Sequence, residues 1–229
     1  MFAGREEEIY GLIETKVFED HENLLGAGTT ARIKGYEVTD GEKVLRLAIK
    51  YLVSPNDKTL SASGEHDMIT EVERIQRVEE IEASGEFEHI SVHHPYFHLK
   101  TSKIESYGMQ LIEGFNLDLE QFKTGNKTIS PELATKISEL DLAAVNNEIE
   151  RFFNRMHEYC LHGDIKPRNI MIDNDGKFYI IDFGQSVLAH EIDENGRDQF
   201  DQLKHDEIKA TNDMIKMFVL YSKNSIANS

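Results

Sequence analysis

Four side chains between Cys160 and Ser186 have the chemistry that phosphoryl transfer requires. Such a transfer needs a carboxylate that accepts the proton of an attacking hydroxyl and a cation near the moving phosphate. It also needs an amide oxygen and a second carboxylate that hold a metal ion. Asp164 suits the first role, Lys166 the second, and Asn169 with Asp182 the two metal-binding roles. The stretch therefore predicts a metal-dependent phosphoryl-transfer site.

Two apolar, β-branched segments lie between these polar side chains. They cover residues 170–173 and 177–182 and flank the sequence Asn174-Asp175-Gly176. Short apolar runs around an Asp-Gly turn are typical of a β-hairpin. We expect the hairpin to fix the distance between the proton acceptor and the metal ligands.

The stretch resembles the catalytic loop of the protein kinases, written H-R-D-L-x-x-x-N, and their metal-binding D-F-G motif. The corresponding residues are His162-Gly163-Asp164-Ile165-Lys166-Pro167-Arg168-Asn169 and Asp182-Phe183-Gly184. The resemblance implies that Asp164 and Lys166 are catalytic and that Asn169 and Asp182 bind Mg²⁺. Gly163 departs from the family pattern, because many kinases carry an arginine there.

A second resemblance, to the kinase glycine-rich loop and lysine strand, lies near the N-terminus. Two glycines allow backbone amides to approach phosphates, although Ala31 replaces the third family glycine. The resemblance implies that Lys50 holds the α- and β-phosphates of ATP and that Ala48 lies against adenine. The other implied nucleotide contacts here are Gly26, Ala27, Gly28, Thr29 and Ile33. An ordinary hairpin turn is the alternative for the glycines alone.

A helix is predicted from His66 to Ala83, after a polar connector at residues 54–65. Its apolar residues recur at helical spacing, which indicates one buried face. They are Met68, Val72, Ile75, Val78 and Ile81. By resemblance, a glutamate of this helix pairs with Lys50, and we choose Glu71 over Glu73 because it places Ile75 one turn further on the inward face.

Residues 106–114 predict a strand that runs into a linker, similar to the kinase hinge. The resemblance places Met109 at the entrance to the pocket behind adenine. It also gives adenine contacts to the backbone of Gln110, Leu111 and Ile112, and to Met171, which follows Asn169 by two. A plain buried strand is the alternative. We expect a short helix from Phe115 to Phe122.

The last hundred residues predict a mainly helical region. Ser130 and Pro131 have the N-cap and first-position preferences of a helix start, and a longer helix is expected over residues 140–159. The polar, acidic residues 185–204 resemble an activation segment, although no A-P-E motif follows. The final predicted helix covers residues 207–220, and by resemblance its Asp213 braces the catalytic loop.

These resemblances cover nearly the whole chain and imply an α+β fold, the bilobal protein-kinase-like fold with a truncated C-terminal lobe. The implied division is an N-lobe of residues 1–110, with a β-sheet and one regulatory helix, and a C-lobe of residues 111–229. A short helix is expected to precede Asp20, on the outside of the N-lobe.

The trimmed lobe, Gly163 and the sequence Thr211-Asn212-Asp213 resemble the OspG/NleH-type effector kinases that bacterial pathogens inject into host cells. That resemblance implies action on host signalling, secretion into the host cell, and activation by a protein such as a ubiquitin-charged conjugating enzyme. Gly163 has no side chain that could pair with a phosphorylated residue, and Ser186 is the one hydroxyl in residues 185–204. We therefore expect activity without loop phosphorylation, or a partner that docks around Met214, Met217, Phe218 and Leu220.

Composition narrows the classes of function. Lysine and arginine total 25 against 42 aspartates and glutamates, a net charge of -17, which argues against nucleic acid as the main partner. No apolar run approaches the ~18 residues of a membrane helix, and the N-terminus lacks the pattern of a cleaved signal peptide. A soluble, cytoplasmic protein is expected. The single cysteine, Cys160, is expected to be a buried, inert thiol.

The function that these patterns predict is an ATP- and Mg²⁺-dependent Ser/Thr protein kinase. One alternative is a small-molecule kinase of the aminoglycoside- or choline-kinase type, whose loop also often reads H-G-D. The D-F-G motif and Lys166 favour protein substrates over that class. The other alternative is a pseudokinase that serves as a binding module, and the presence of Lys50, Glu71, Asp164, Asn169 and Asp182 argues against it.

Overall fold

The computed structural model describes residues 24–27, 31–40, 43–52, 68–100, 105–125 and 127–227. The described residues mix helices and strands, and the predicted α+β class is confirmed. They divide into two compact units. Unit 1 contains the described residues up to Glu73 and His94–Leu111, and unit 2 contains Arg74–His93 and those from Ile112 onward. The predicted helix before Asp20 and the connector at 54–65 lie outside the described residues.

A five-stranded antiparallel sheet of order β1-β2-β3-β6-β5 forms most of unit 1. Its strands are β1 (Leu24–Ala27), β2 (Ala31–Asp40), β3 (Lys43–Leu52), β5 (Pro95–Lys100) and β6 (Glu105–Gln110). The central strand β3 is mostly apolar, and its Leu47 and Ile49 are almost fully buried. The register places Lys50 beside Tyr107 and Ala48 beside Met109 on β6.

Helix α1 covers Met68–Ala83, so the predicted helix is confirmed from Met68 onward. The expected start at His66 lies outside the described residues. Four of the five predicted inward residues are buried, and Ile81 is half-buried. The 3.6-residue period of the apolar side chains therefore gives the helix one buried stripe.

Four strands form the sheet of unit 2: β4 (Ile90–Val92), β7 (Gly114–Asn116), β9 (Ile170–Asp173) and β10 (Phe178–Ile180). Their order is β4-β10-β9-β7, with β4 parallel to β10 and the other pairs antiparallel. Strands β9 (Ile170–Asp173) and β10 (Phe178–Ile180) form the predicted hairpin. The Asp173 side chain accepts the backbone N–H groups of Asp175 and Lys177, both at 2.9 Å, and Gly176 has a φ of 91°. The turn residues are thus the ones that the sequence indicated.

The helix expected from Phe115 to Phe122 is wrong. Strand β7 (Gly114–Asn116) pairs with β9, and helix α2 covers only Glu120–Lys123. Gly114 explains the difference, because a Cβ at this position would lie 1.8 Å from the carbonyl oxygen of Ile172. The missing side chain allows the segment to approach β9 and to join the sheet as an edge strand.

Helices α3 (Pro131–Glu139) and α4 (Leu142–His157) begin at side-chain caps. Ser130 Oγ accepts the Leu133 N–H at 3.2 Å, as the Ser-Pro pair predicted. Asp141 accepts the Ala143 N–H at 2.9 Å, which starts α4 two residues after the expected position. Helix α4 buries Val145, Ile149, Phe152, Phe153 and Met156, the apolar stripe of an amphipathic helix.

The final helix, α5 (Arg197–Ala227), begins ten residues before the predicted start at 207. The acidic residues at its start form short-range pairs that suit a helix, including Lys204 with Asp201 at 2.8 Å and Gln202 with Asp206 at 2.9 Å. The last eight residues of the predicted activation segment, 197–204, are therefore the first residues of α5. Before α5, strand β11 (Val187–Leu188) pairs with β8 (Cys160–Leu161).

Across the described residues, we find no helix with the length and apolar character that crossing a membrane requires.

Candidate active site

The backbone of the proposed catalytic loop is held by a buried glutamate of α5. Glu207 Oε1 accepts the Gly163 N–H at 2.7 Å, and Glu207 Oε2 accepts the His162 N–H at 3.2 Å. Oε2 also lies 2.8 Å from His157 Nε2, on the last turn of α4. One carboxylate thus fixes the two residues that precede Asp164.

The expectation that Asp213 braces this loop is wrong. Asp213 is exposed, and Glu207 makes the contacts that were assigned to it. Six residues along an α-helix correspond to a rotation of about 240°, so the two side chains leave α5 in different directions. The assignment of Asp213 came from the family resemblance, which does not show the direction in which each side chain leaves the helix.

His162 lies behind the loop as a neutral support. Its Nδ1 accepts the Asp164 N–H at 3.2 Å, and its Nε2 donates to the Ile181 carbonyl at 3.0 Å. The ring centroid lies 4.7 Å from that of Phe183. Complete burial lowers the pKa of His162, although the charge of Glu207 opposes the shift. A neutral imidazole is the form that both accepts and donates in this way.

The four side chains predicted to carry out phosphoryl transfer belong to unit 2 and lie on two connected turns. Asp164 Oδ2 accepts Lys166 Nζ at 2.5 Å and Asn169 Nδ2 at 2.9 Å. The Ile181 N–H, next to Asp182, donates to the Asn169 carbonyl at 2.9 Å. The structure therefore brings Asp164, Lys166 and Asn169 into contact and ties the turn of Asp182 to them.

The donor set fits a hard divalent cation. Asn169 Nδ2 also donates to the Asp164 carbonyl at 2.9 Å, so the amide nitrogen is used within the loop. The amide oxygen of Asn169 is then the atom that could bind a metal, together with the Asp182 carboxylate. Mg²⁺ prefers such oxygen ligands. The metal-binding role of both residues stays a prediction.

In unit 1 the predicted phosphate-binding lysine is buried and paired. Lys50 Nζ lies 2.7 Å from Glu71 Oε1 and 2.9 Å from Oε2, and the two side chains are 7% and 0% exposed. Glu73 is exposed, so Glu71 is the glutamate that contacts Lys50. Tyr107 OH donates to Glu71 Oε1 at 2.9 Å, a contact that the sequence did not indicate.

The predicted adenine contacts are only partly described. Ala48 and Met109 are buried cross-strand neighbours on β3 and β6. The N–H groups of Gln110 and Leu111 donate to the carbonyls of His94 and Arg46. The backbone contacts of these two residues with adenine stay a prediction.

The remaining nucleotide candidates divide between described and undescribed residues. Gly26 and Ala27 belong to β1, and Ile33 to β2 beside Lys50. Met171 is on β9 and half-buried, and Ile112 is buried in unit 2. Gly28 and Thr29 lie outside the described residues, so the centre of the predicted glycine-rich loop is not described.

Cys160 does not have the surroundings of a reactive thiol. It is fully buried on β8, and burial raises its pKa to about 12. The thiolate, which is the nucleophilic form, is therefore scarce at neutral pH. The structure agrees with the interpretation of an inert core residue.

A carboxylate, a lysine and an amide in contact on one loop are the kinds of groups that phosphoryl transfer uses. A sequence model of the protein kinase domain matches residues 19–205, and the chain belongs to the protein kinase family. It is also similar to a probable serine/threonine-protein kinase of Dictyostelium discoideum, with 36% identity over 88 residues. That match covers 37% of this chain and 19% of the relative, so the chain spans only a small part of that protein.

Proposed function

We propose that this chain is a Ser/Thr protein kinase that transfers the γ-phosphate of ATP to protein hydroxyls with Mg²⁺. The observation that carries the proposal is the Asp164 carboxylate, which holds both Lys166 and Asn169 on one loop. In the proposed reaction Asp164 accepts the proton of the substrate hydroxyl. Lys166 offsets the charge of the moving phosphate.

The remaining groups bind the nucleotide and the metal. Mg²⁺, when bound by Asn169 and Asp182, supplies positive charge against the phosphates. Lys50, oriented by Glu71, binds the α- and β-phosphates. Residues 26–29 and Ile33 contribute further nucleotide contacts. Ala48, Met171 and the backbone of 110–112 contact adenine, and Met109 borders the pocket behind it. We take the two units as the lobes of a single kinase domain.

A transfer assay with radiolabelled ATP tests this function directly. The purified chain is given protein acceptors, aminoglycosides and choline, each with and without Mg²⁺. We expect label on serine or threonine of a protein, only with Mg²⁺, and none from the Asp164→Asn variant. Label on the small molecules alone would support the aminoglycoside- or choline-kinase type. Nucleotide binding without transfer to any acceptor would support a pseudokinase.

We further infer that a protein partner, and not loop phosphorylation, raises the activity. Gly163 has a φ of 78°, and a Cβ there would lie 2.2 Å from the Gln185 carbonyl oxygen, so no side chain fits. The Ser186 hydroxyl is buried. On α5, Met217 and Leu220 are 58% and 49% exposed and suit a partner, whereas Phe218 is buried and belongs to the core.

The resemblance to the injected effector kinases supports a role in host signalling and a ubiquitin-charged conjugating enzyme as that partner. The assay compares phosphatase-treated enzyme with and without the charged conjugating enzyme. We expect basal activity to survive the phosphatase and to rise with the partner. Activity that vanishes on dephosphorylation and returns with loop phosphorylation would contradict this inference.

A further inference from the structure

Asp182 has a backbone conformation that must be held by its surroundings. Its φ and ψ are 67° and 71°, and it is the one non-glycine with a positive φ in the described part of the chain. Residues other than glycine rarely adopt this left-handed conformation, and it persists only where neighbouring contacts enforce it. The contacts of the next turn are therefore part of how the Asp182 carboxylate is presented.

The turn after Asp182 is closed by a serine. Residues Phe183–Gln185 form a single 3₁₀ turn, and the Phe183 ring is fully buried. Ser186 donates twice to the Phe183 carbonyl, from its N–H at 3.1 Å and from its hydroxyl at 2.6 Å. The hydroxyl proton is thus committed to Phe183, and the hydroxyl oxygen remains an acceptor.

The donor to that oxygen is Arg74, which belongs to the part of α1 within unit 2. Arg74 Nη1 lies 3.2 Å from Ser186 Oγ. Arg74 Nε is buried and has no hydrogen-bond partner. Its charge also acts on the buried Cys160 of β8, because it opposes the rise in the pKa of that thiol. The guanidinium therefore uses one donor on Ser186 and leaves its buried Nε–H without a partner.

A partly buried arginine with an unpaired N–H is unfavourable for packing alone. An apolar side chain of similar length would fill the space without leaving a donor unsatisfied. The catalytic loop offers no substitute, because Gly163 is pressed against Gln185, the residue before Ser186. The positively charged side chain that contacts the turn after Asp182 is therefore Arg74 of α1.

We propose that Arg74 is a positioning residue that acts through Ser186 to fix the turn after Asp182, and hence the carboxylate that binds the metal. The proposal rests on the proposed function, because it assigns Mg²⁺ binding to Asp182. A neutral hydroxyl takes the donor of Arg74, so the turn is ordered without a phosphate.

The test measures how Mg²⁺ changes the affinity for a fluorescent ATP analogue, with kcat as a second readout. Arg74→Met keeps the length of the side chain and removes its donors. We expect the Mg²⁺-dependent affinity to fall about tenfold, as for the loss of one hydrogen bond to a charged group. The affinity without Mg²⁺ should not change. Arg74→Lys keeps a donor and should retain most of the Mg²⁺-dependent affinity. Arg77→Met, on the exposed face of the same helix, should behave as wild type.

Ser186→Ala removes the hydroxyl through which Arg74 is proposed to act, and it tests the proposal even if Arg74→Met does not fold. It should reproduce the loss, and the double variant should lose no more than either single variant. Losses that add in the double variant, or wild-type Mg²⁺ dependence in both single variants, would overturn the role of Arg74.

Asp182→Ala separates the two proposals. If it abolishes the Mg²⁺ dependence while Arg74→Met and Ser186→Ala leave it intact, the role of Arg74 is wrong and the proposed function stands. If Asp182→Ala also leaves the Mg²⁺ dependence intact, the metal assignment fails, and the role of Arg74 fails with it.

Discussion

Each unit contains a lysine in contact with a carboxylate, but the two pairs differ in burial. Lys50 and Glu71 of unit 1 are 7% and 0% exposed, whereas Lys166 and Asp164 of unit 2 are 47% and 31% exposed. A buried pair is destabilised strongly when one partner is removed, and an exposed pair contributes little to stability. The first pair should therefore matter for folding as well as function, and the second for function alone.

Unit 2 has buried carboxylates too, but holds them by different donors. Glu207 accepts two backbone N–H groups and contacts His157. Glu148 of α4 accepts the N–H groups of His89 and Ile90 and contacts the His89 ring. Backbone donors fix a carboxylate to one loop and so position the chain, which a flexible lysine does less well.

The largest effect should come from Asp164, the exposed member of the comparison. Asp164→Asn should lower turnover by about 10²–10⁴, the usual contribution of a general base. The free energy of unfolding should change by less than about 1 kcal/mol, because the pair with Lys166 is partly solvated. Initial rates and urea unfolding measure the two quantities.

Asp175→Asn is the matched control for that variant, since Asp175 pairs with Lys136 at 2.8 Å and is 89% exposed. It should change neither the rate nor the stability. An Asp164→Asn enzyme with near-native turnover would refute the assignment of Asp164 as base.

Lys50→Met tests the buried pair of Lys50 and Glu71. It leaves Glu71 charged in a buried site, so we expect a loss of about 3–5 kcal/mol in the free energy of unfolding. Nucleotide affinity should fall as well, because the proposed phosphate ligand is lost. Replacing both partners, Lys50→Met with Glu71→Leu, should recover much of the stability and none of the nucleotide affinity.

Lys166→Met is the partner experiment in unit 2. It should slow transfer and leave the unfolding midpoint close to that of wild type. Equal losses of stability in Lys50→Met and Lys166→Met would show that burial does not separate the two pairs.

The next largest effect on stability should come from Glu207. Glu207→Ala leaves the N–H groups of His162 and Gly163 without their acceptor, and we expect a loss of about 2–3 kcal/mol. Asp213→Ala, on the same helix but exposed, should stay within about 0.5 kcal/mol of wild type. Chemical unfolding of both variants decides which carboxylate braces the loop, and a larger loss in Asp213→Ala would contradict the geometry.

The sequence predicted local structure well where one short segment determines it. The hairpin around residues 174–176 follows from Asp-Gly turn chemistry, and the start of α3 follows from the Ser-Pro cap. Motif spacing also placed Asp164, Lys166 and Asn169 on one loop. The chemical roles of these three residues stay predictions.

The failures concern contacts between distant segments. Nothing local marks Glu207 as the acceptor for residues 162 and 163, because the choice depends on the direction in which α5 presents each side chain. The sequence indicated that a strand ends at Gly114. In the structure a new strand, β7, begins there, because the missing side chain allows a close approach to Ile172. Tyr107 became a partner of Glu71 only through the pairing of β3 with β6.

Glu148 should show the smallest effect and a dependence on pH. Burial raises its pKa, but hydrogen bonds from His89 and Ile90 outweigh burial, and the net pKa lies below the ordinary value of 4.5. A carboxylate with a lowered folded-state pKa stabilises the protein above its unfolded-state pKa, and that stability is lost as pH falls through the folded-state value. Glu148→Gln keeps an oxygen that can accept these N–H groups, so it should lower the free energy of unfolding by only about 1 kcal/mol at pH 7.

The difference between wild type and Glu148→Gln should begin to shrink below about pH 5, just above the unfolded-state pKa of glutamate, and continue to shrink as acid protonates the native carboxyl. Urea unfolding at several pH values measures it. Glu150→Gln, exposed on the same helix, is the control and should show a small difference at every pH. A Glu148→Gln difference of constant size from pH 7 to pH 3 would mean that the side chain supports β4 by shape alone. The negative charge of Glu148 would then contribute nothing to stability, and backbone N–H donors would hold a carboxylate without favouring its charged form.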